Sequence, residues 1–249
     1  MKNWLLGLVL GAAWTHAASG ATVLLDPAAI SAGPVALPGP QGWLLGFDGS
    51  DTTQTGVPGQ GIVFDSTTTR TDKAGLFSHV SVGPLTFTNP NVPVLDRTSG
   101  FRLGFELEIR QEAHNARDDN NDGKFDRAGF SVIAISEDLL GVEVAFFEDR
   151  VWIYEDASVA ADSLFTQAEF AEIDTTGGVV DYELTFLGEE YALRADGALI
   201  LSGVLRDYAA GGAPADVYGQ SSFLFFGDDT SSADSEALLG RVDVTPVPL

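Results

Sequence analysis

The chain contains no cysteine in its 249 residues. That excludes disulfide staples, thiol nucleophiles and cysteine-ligated zinc, so stability must come from an apolar core and from bound ions. Basic residues are scarce: 13 Lys and Arg face 36 Asp and Glu, a formal charge of −23. Such a surface repels phosphate backbones and anionic lipid, which argues against nucleic acid and membrane-surface partners. Beyond residue 21 only His79 and His114 remain as histidines, and no Gly-x-Ser-x-Gly elbow occurs. A Ser–His nucleophile pair or a histidine zinc site therefore has little support. No later segment reaches ~18 apolar residues, so no transmembrane helix is expected in the mature chain. There is also no fixed-period repeat and no convincing amphipathic helix; the weak candidate is Ala157–Ile173, whose apolar residues are scattered.

What is present begins with an export signal. Lys2 supplies a positive start, Trp4 to Ala13 is a short apolar stretch, and the small residues Ala17 to Ala21 offer cleavage sites. The expected leader is residues 1–21 and the mature protein 22–249, exported to the periplasm, cell surface or medium. Losing Lys2 takes the formal charge to −24, with 12 basic residues facing 36 acidic ones. Roughly 230 residues suit a single all-β domain, since sandwiches reach ~200–250 residues as one unit. With 45% hydrophobic residues and 16 Phe, there is enough apolar material for a core.

Short strand-like runs separated by turn signals fill that length. The clearest is Phe101–Arg110, in which Phe101, Leu103, Phe105, Leu107 and Ile109 alternate with Arg102, Gly104, Glu106, Glu108 and Arg110. Gly129–Ser136 is apolar on both faces, as a central strand is. Val142–Glu148 and Arg150–Glu155 form a hairpin across a tight connection, and Asp196-Gly197 marks another between Tyr191–Arg194 and Leu199–Leu205. Phe77–Phe87 reads as one strand interrupted by Pro84, and Ser50–Gln60 as a polar loop. The expectation is an all-β, antiparallel sandwich or jelly roll of concanavalin-like pattern.

The motif with most chemical content is Asp118-x-Asn120-x-Asp122-Gly123-x-x-Asp126. Oxygen side chains at alternate positions, a turn-permitting Gly123 and the Lys124 carbonyl can curl around one hard cation. An EF-hand would place a bidentate Glu where Gly129 stands, so the expectation is a Ca²⁺ loop feeding a strand. The competing reading is a solvated acidic turn, because Asp, Asn and Gly are also turn formers.

Alternation makes a second forecast. With Phe105, Leu107, Ile109, Val142, Val144, Phe146, Val151 and Ile153 inward, the other parity presents Glu106, Glu108, Arg110, Glu143, Phe147, Trp152 and Tyr154 on an outer face. Rings beside carboxylates suit sugar recognition: rings stack on pyranose C–H and carboxylates accept from hydroxyls. The alternative is that Phe147, Trp152 and Tyr154 lie under a covering segment. The run Glu106-x-Glu108-x-x-x-Glu112 loosely resembles the acidic strand motif of sandwich-fold β-glucanases, but its central Asp is missing and its last Glu displaced. Asp228-Asp229-Thr230 follows the apolar run Phe223–Phe226 and reads as a turn.

At Asp126–Ser136 (DRAGFSVIAIS), Gly141–Glu148 (GVEVAFFE), Leu164–Thr166 (LFT), Leu205–Tyr208 (LRDY) and Phe225–Ser232 (FFGDDTSS), the chain resembles the choice-of-anchor Y domain. That family is bacterial and exported, associated with PEP-CTERM and other surface-anchoring signals. The resemblance implies a concanavalin-like sandwich and assigns no activity. Val244 to Leu249 stops where a PEP-CTERM signal would begin, so release is expected in place of anchoring by that route. The favoured function is a non-catalytic, Ca²⁺-stabilised sandwich binding extracellular polysaccharide or surface glycan. The alternatives are a glycan hydrolase or lyase with a carboxylate-bearing sheet face, and a structural surface-layer component.

Overall fold

The computed structural model describes residues 20–35, 39–48, 52–71, 73–82, 85–160 and 162–247. Residues 1–19 of the expected leader, and Pro84, lie outside these. Among the described residues, no helix is long and apolar enough to cross a membrane.

In chain order the strands are β1 (Thr22–Leu25), β2 (Gly33–Pro34), β3 (Leu44–Asp48), β4 (Thr53–Val57), β5 (Gly61–Asp65), β6 (Lys73–Phe77), β7 (His79–Val82), β8 (Leu85–Thr88) and β9 (Phe101–His114). They continue as β10 (Ser131–Ile135), β11 (Gly141–Phe146), β12 (Arg150–Tyr154), β13 (Gln167–Glu172), β14 (Val180–Leu187), β15 (Glu190–Ala195), β16 (Ala198–Val204), β17 (Phe223–Asp228) and β18 (Ala233–Pro246). The helical pieces among the described residues are two 3₁₀ turns, Pro27–Ala29 and Pro40–Gly42.

Every pairing is antiparallel. The larger sheet has nine strands in the order β16-β15-β14-β9-β18-β5-β4-β2, with β1 also on β18. The smaller has seven, β13-β12-β11-β10-β17-β6-β3, and β7 and β8 form a separate hairpin. The two sheets face each other as an antiparallel sandwich of jelly-roll type.

Alternation along β9 is what fills the space between them. Phe101, Leu103, Phe105, Leu107 and Ile109 are buried against Val132, Val144, Phe146, Ile153 and Phe226 of the smaller sheet. Phe105 sits at the centre, stacked on Tyr182 at 5.3 Å and edge-on to Phe226 at 5.8 Å. All the residues expected inward on β9, β11 and β12 are there.

Three expectations change. Among the described residues of Ala157–Ile173 there is no helix, and its second half holds the edge strand β13. Phe77–Phe87 is divided between the end of β6 and the β7–β8 hairpin. Ser50–Gln60, read as loop because Thr53–Val57 is polar, supplies β4, whose backbone pairs with β5 from Thr53–Asp65 to Val57–Gly61. Here main-chain hydrogen bonding, and not apolar alternation, makes the strand.

Candidate functional site

The smaller sheet is apolar on both faces, so its outer face also needs cover. Ile133, Ala145, Phe147, Trp152, Tyr154, Phe223 and Phe225 point outward there and form a second apolar cluster. The cover comes from chain around Phe165 and from residues 205–222, which bring Phe165, Tyr208 and Tyr218 down onto the sheet. Trp152 is 0% and Tyr154 2% exposed as a result. The expected open sugar face is therefore corrected: its rings are roofed, because a ring-rich outer face gains more from burial than from display.

Register places Glu143 in this outer face. One cross-strand row runs Glu143–Ile133–Phe225–Phe77, and the next is small, Ala145–Ser131–Gly227. The roof does not close over the first row. A cavity of about 200 Å³ remains between Glu143, Tyr154, Phe165, Tyr218, Phe225 and Asp229. Asp229 arrives because β17 ends beside the start of β10, and alternation divides the Asp-Asp pair. Asp228 follows Phe226 to the inner side, where Ser66 Oγ donates to it at 2.6 Å, and Asp229 takes the cavity side. The run read as a simple turn thus supplies one cavity acid.

Glu143 is 2% exposed. The Tyr218 hydroxyl donates to its carboxylate, while its backbone N–H donates to the Tyr208 hydroxyl at 3.0 Å. Tyr208 in turn donates to the Tyr154 carbonyl at 2.8 Å. Burial pushes the Glu143 carboxyl well above the usual range, and the nearby Asp229 charge pushes further. Burial raises Asp229 too, against the pull of Lys73 and Arg127. Two like charges in one pocket resist joint ionisation, and the upward push is the stronger on Glu143. Burial also lifts the hydroxyls of Tyr154, Tyr208 and Tyr218 well above the usual phenol range, leaving them protonated.

Arg127 borders the cavity and is anchored elsewhere. It donates to the Asp126 and Phe165 carbonyls and, at 2.7 Å, to Asp119. Phe165 has φ 62°, a left-handed conformation that strains a bulky residue. Its N–H to Glu155 O, at 2.9 Å, and the Arg127 contact to its carbonyl, at 2.6 Å, hold it there. The ring reaches Tyr154, Tyr208 and Tyr218 at 6.0, 6.2 and 5.4 Å. Strain of this kind is retained where a wall must stand in one place.

The other forecast site residues lie apart. Glu106 and Glu108 are on β9 in the other sheet, facing away from the sandwich core. Glu106 accepts from Arg241 N–H at 3.0 Å and Glu108 pairs with Arg110 at 3.1 Å. They share no surface with Glu143, Phe147, Trp152 or Tyr154, and Phe147 and Trp152 do not border the cavity. Glu112 is separated even from Glu108. Gln111 pairs Glu236 and Ile109 pairs Ala237, so Arg110 bulges out of the ladder and the parity flips. Glu112 turns inward, its side chain 2% exposed, with His114 Nδ1 at 2.8 Å.

In the acidic loop, Gly123 takes φ 85° as the turn requires. Asp118 accepts from the Asp122 and Gly123 amides at 3.0 and 2.9 Å, and Asn120 from Asp122 at 3.2 Å. Asp122 accepts from the Lys124 amide and pairs with its ammonium, both at 2.9 Å. Asp126 is 0% exposed and accepts from the Asp119 and Gln167 amides at 2.7 and 3.0 Å. Asp118, Asn120 and Asp122 surround the turn as a cation loop needs, while Asp126 is committed inward. Among the described residues no three acidic or histidine side chains gather as a ready ligand set.

No protein-family model and no curated protein matches the chain. Among solved structures it is similar to a conserved carbohydrate esterase from the Shiga toxin-encoding bacteriophage phi24B, at 15% identity and a TM-score of 0.54, over 91% of this chain and 99% of that one. It is also similar to the Crh5 transglycosylase, at 11% identity and a TM-score of 0.45, over 92% of this chain and 88% of that one. A carbohydrate-binding module, CBM66 from Bacillus subtilis, shares 12% identity at a TM-score of 0.42, over 82% of this chain and 96% of that one. At these identities likeness shows fold alone: an antiparallel two-sheet sandwich.

Proposed function

We propose that this protein is an exported polysaccharide-binding sandwich that captures one sugar residue in the cavity beside Glu143 and Asp229. The observation that carries the reading is the pairing of ring walls with one buried and one half-buried carboxylate in a small pit. Phe165, Tyr154 and Tyr218 offer apolar faces to sugar C–H groups, and the two acids accept from hydroxyls. About 200 Å³ is below the ~300–1,000 Å³ of larger ligand pockets, which suits a single ring of a chain whose remainder stays outside. A sandwich similar in fold to a carbohydrate esterase is a scaffold consistent with this use. Retention on insoluble polysaccharides and a glycan array test it. Binding is expected without release of reducing ends, and Phe165→Ala should weaken it at least tenfold. An unresponsive array would leave a purely structural surface role as the better account.

One observation favours catalysis as a second reading. Glu143 and Asp229 border one cavity and burial pushes both carboxyls up, Glu143 the further, and an acid kept protonated beside an ionised partner is what glycosidic cleavage uses. Reducing ends that accumulate with wild type and vanish with Glu143→Gln would replace binding by hydrolysis.

Ca²⁺ is a separate proposal. The turn formed by Asp118, Asn120 and Asp122 presents oxygens around Gly123, and repulsion among them would be relieved by a cation. Lacking a bidentate Glu, it should bind at ~10⁻⁴–10⁻³ M, adding about 2.7 kcal/mol of stability at a hundredfold excess over Kd. Melting should rise with Ca²⁺, and Asp122→Ala should lose most of that rise. A melting temperature indifferent to both Ca²⁺ and chelator makes the loop an acidic turn only.

A further inference from the structure

We propose that the cavity selects a sugar residue carrying a free, protonated amine, such as a deacetylated hexosamine unit of a polysaccharide. The inference rests on the sugar-binding reading above and adds the ligand's charge. It stands on what borders the pit. Two carboxylates, Glu143 and Asp229, face it, and the π faces of Tyr154, Phe165 and Tyr218 wall it. Rings and acids together are the surroundings that stabilise an ammonium, through attraction to the ring faces and through charge-assisted hydrogen bonds.

The cationic groups nearby leave that role open. Arg127 spends its guanidinium on the Asp126 and Phe165 carbonyls and on Asp119, whose own charge offsets it. Lys73, on β6, acts electrostatically on Asp229, and Arg127 acts on both acids from the cavity border without a hydrogen bond to either. The tyrosines that face Glu143, Tyr154, Tyr208 and Tyr218, are neutral at every physiological pH. An incoming ammonium would add a positive charge in direct reach of both acids, which Arg127 and Lys73 influence only from a distance. A uronate or sulfated sugar would add negative charge beside two acids and is excluded.

The test is calorimetric titration of the full protein with matched oligosaccharides: glucosamine, N-acetylglucosamine, glucose and a uronate. The glucosamine oligomer is expected to bind at least thirtyfold more tightly than its N-acetyl counterpart, and the uronate not at all. Glu143→Gln and Asp229→Asn, each checked for an intact melting transition, should each lose tenfold or more on the amine ligand. A chain of charge −23 attracts any polycation. Asp181→Asn, on the outer face of the larger sheet, should therefore keep full affinity. Equal or tighter binding of the N-acetyl or glucose oligomer overturns the amine inference and leaves the sugar site standing. Equal losses from Asp181→Asn and Glu143→Gln overturn it as well, by reducing the effect to net charge. If no oligomer of any kind binds, the sugar site itself falls.

Discussion

The melting temperature of this protein should fall as pH rises from 5 to 8, and Asp228→Asn should flatten that fall. Asp228 is 3% exposed at the rim between the sheets, and burial pushes its carboxyl up to about 8. Burial favours the neutral acid and outweighs two donors that favour the ionised one: Thr230 N–H donates to one oxygen at 3.0 Å and Ser66 Oγ to the other at 2.6 Å. In the unfolded chain the same carboxyl ionises near ~3.9. Between those values the folded state holds a proton that the unfolded state releases. The stability associated with Asp228 is therefore complete below about pH 4 and lost as pH climbs toward 8. Each pH unit traversed removes up to about 1.4 kcal/mol, so pH 5 to 8 removes at most about 4 kcal/mol, on the order of 10 °C at this chain length. Glu143, Asp229 and Glu112, all raised chiefly by burial, push the same way. Carboxyls held low, such as Asp119 and Asp138, act only on the acid side of this window. Asparagine can accept from Thr230 and donate to Ser66 without titrating. Thermal melts of both proteins at pH 5, 6.5 and 8 decide the matter. Parallel slopes for wild type and variant would show that Asp228 is ionised in the fold.

Asp126→Ala should cost about 3 kcal/mol or more, whether or not Ca²⁺ is supplied. Its carboxylate is wholly buried and receives the amides of Asp119 and Gln167, which alanine would leave without acceptors at about 1–3 kcal/mol each. Gln167 begins β13 and its side chain donates to the Phe125 carbonyl, so this acid straps the acidic loop to the edge of the smaller sheet. The strap also carries Phe165, two residues before Gln167, into its left-handed conformation. Asp126→Asn, which can serve one amide and must turn an NH₂ toward the other, should lie between. A denaturant midpoint that drops only in Ca²⁺-containing buffer would return Asp126 to the metal.

Alternation carried most of the fold. Phe101–Ile109, the Glu148-Asp149 hairpin and the Asp196-Gly197 turn are where they were read, because in each case one face is apolar and the turn chemistry is explicit. It failed where backbone alone makes the strand, as in Thr53–Val57, and where a bulge resets parity, as at Arg110 before Glu112. The site was half legible. Parity placed Glu143 and Tyr154 together correctly, but parity cannot say whether a face is roofed. The roof residues Tyr208 and Tyr218 sit in Gly/Ala/Pro-rich chain without any period, and went unmarked. The fold brings Arg127, Glu143, Phe165, Tyr208 and Asp229, far apart in the chain, to one cavity or its roof.

The last strand of the chain has a kinetic consequence. β18 lies between β9 and β5, pairing with β9 over nearly its whole length and with β5 and β1 along its other edge. Until Ala233 and the residues after it have been synthesised, β9 and β5 each lack their central neighbour, and the two halves of the larger sheet have nothing to join them. Contacts spanning 22 to 244 and 62 to 239 close loops of most of the chain, a slow topology that holds the polypeptide open during synthesis. A newly made chain thus stays open until its final segment is made, and it exposes unpaired strand edges for that whole interval.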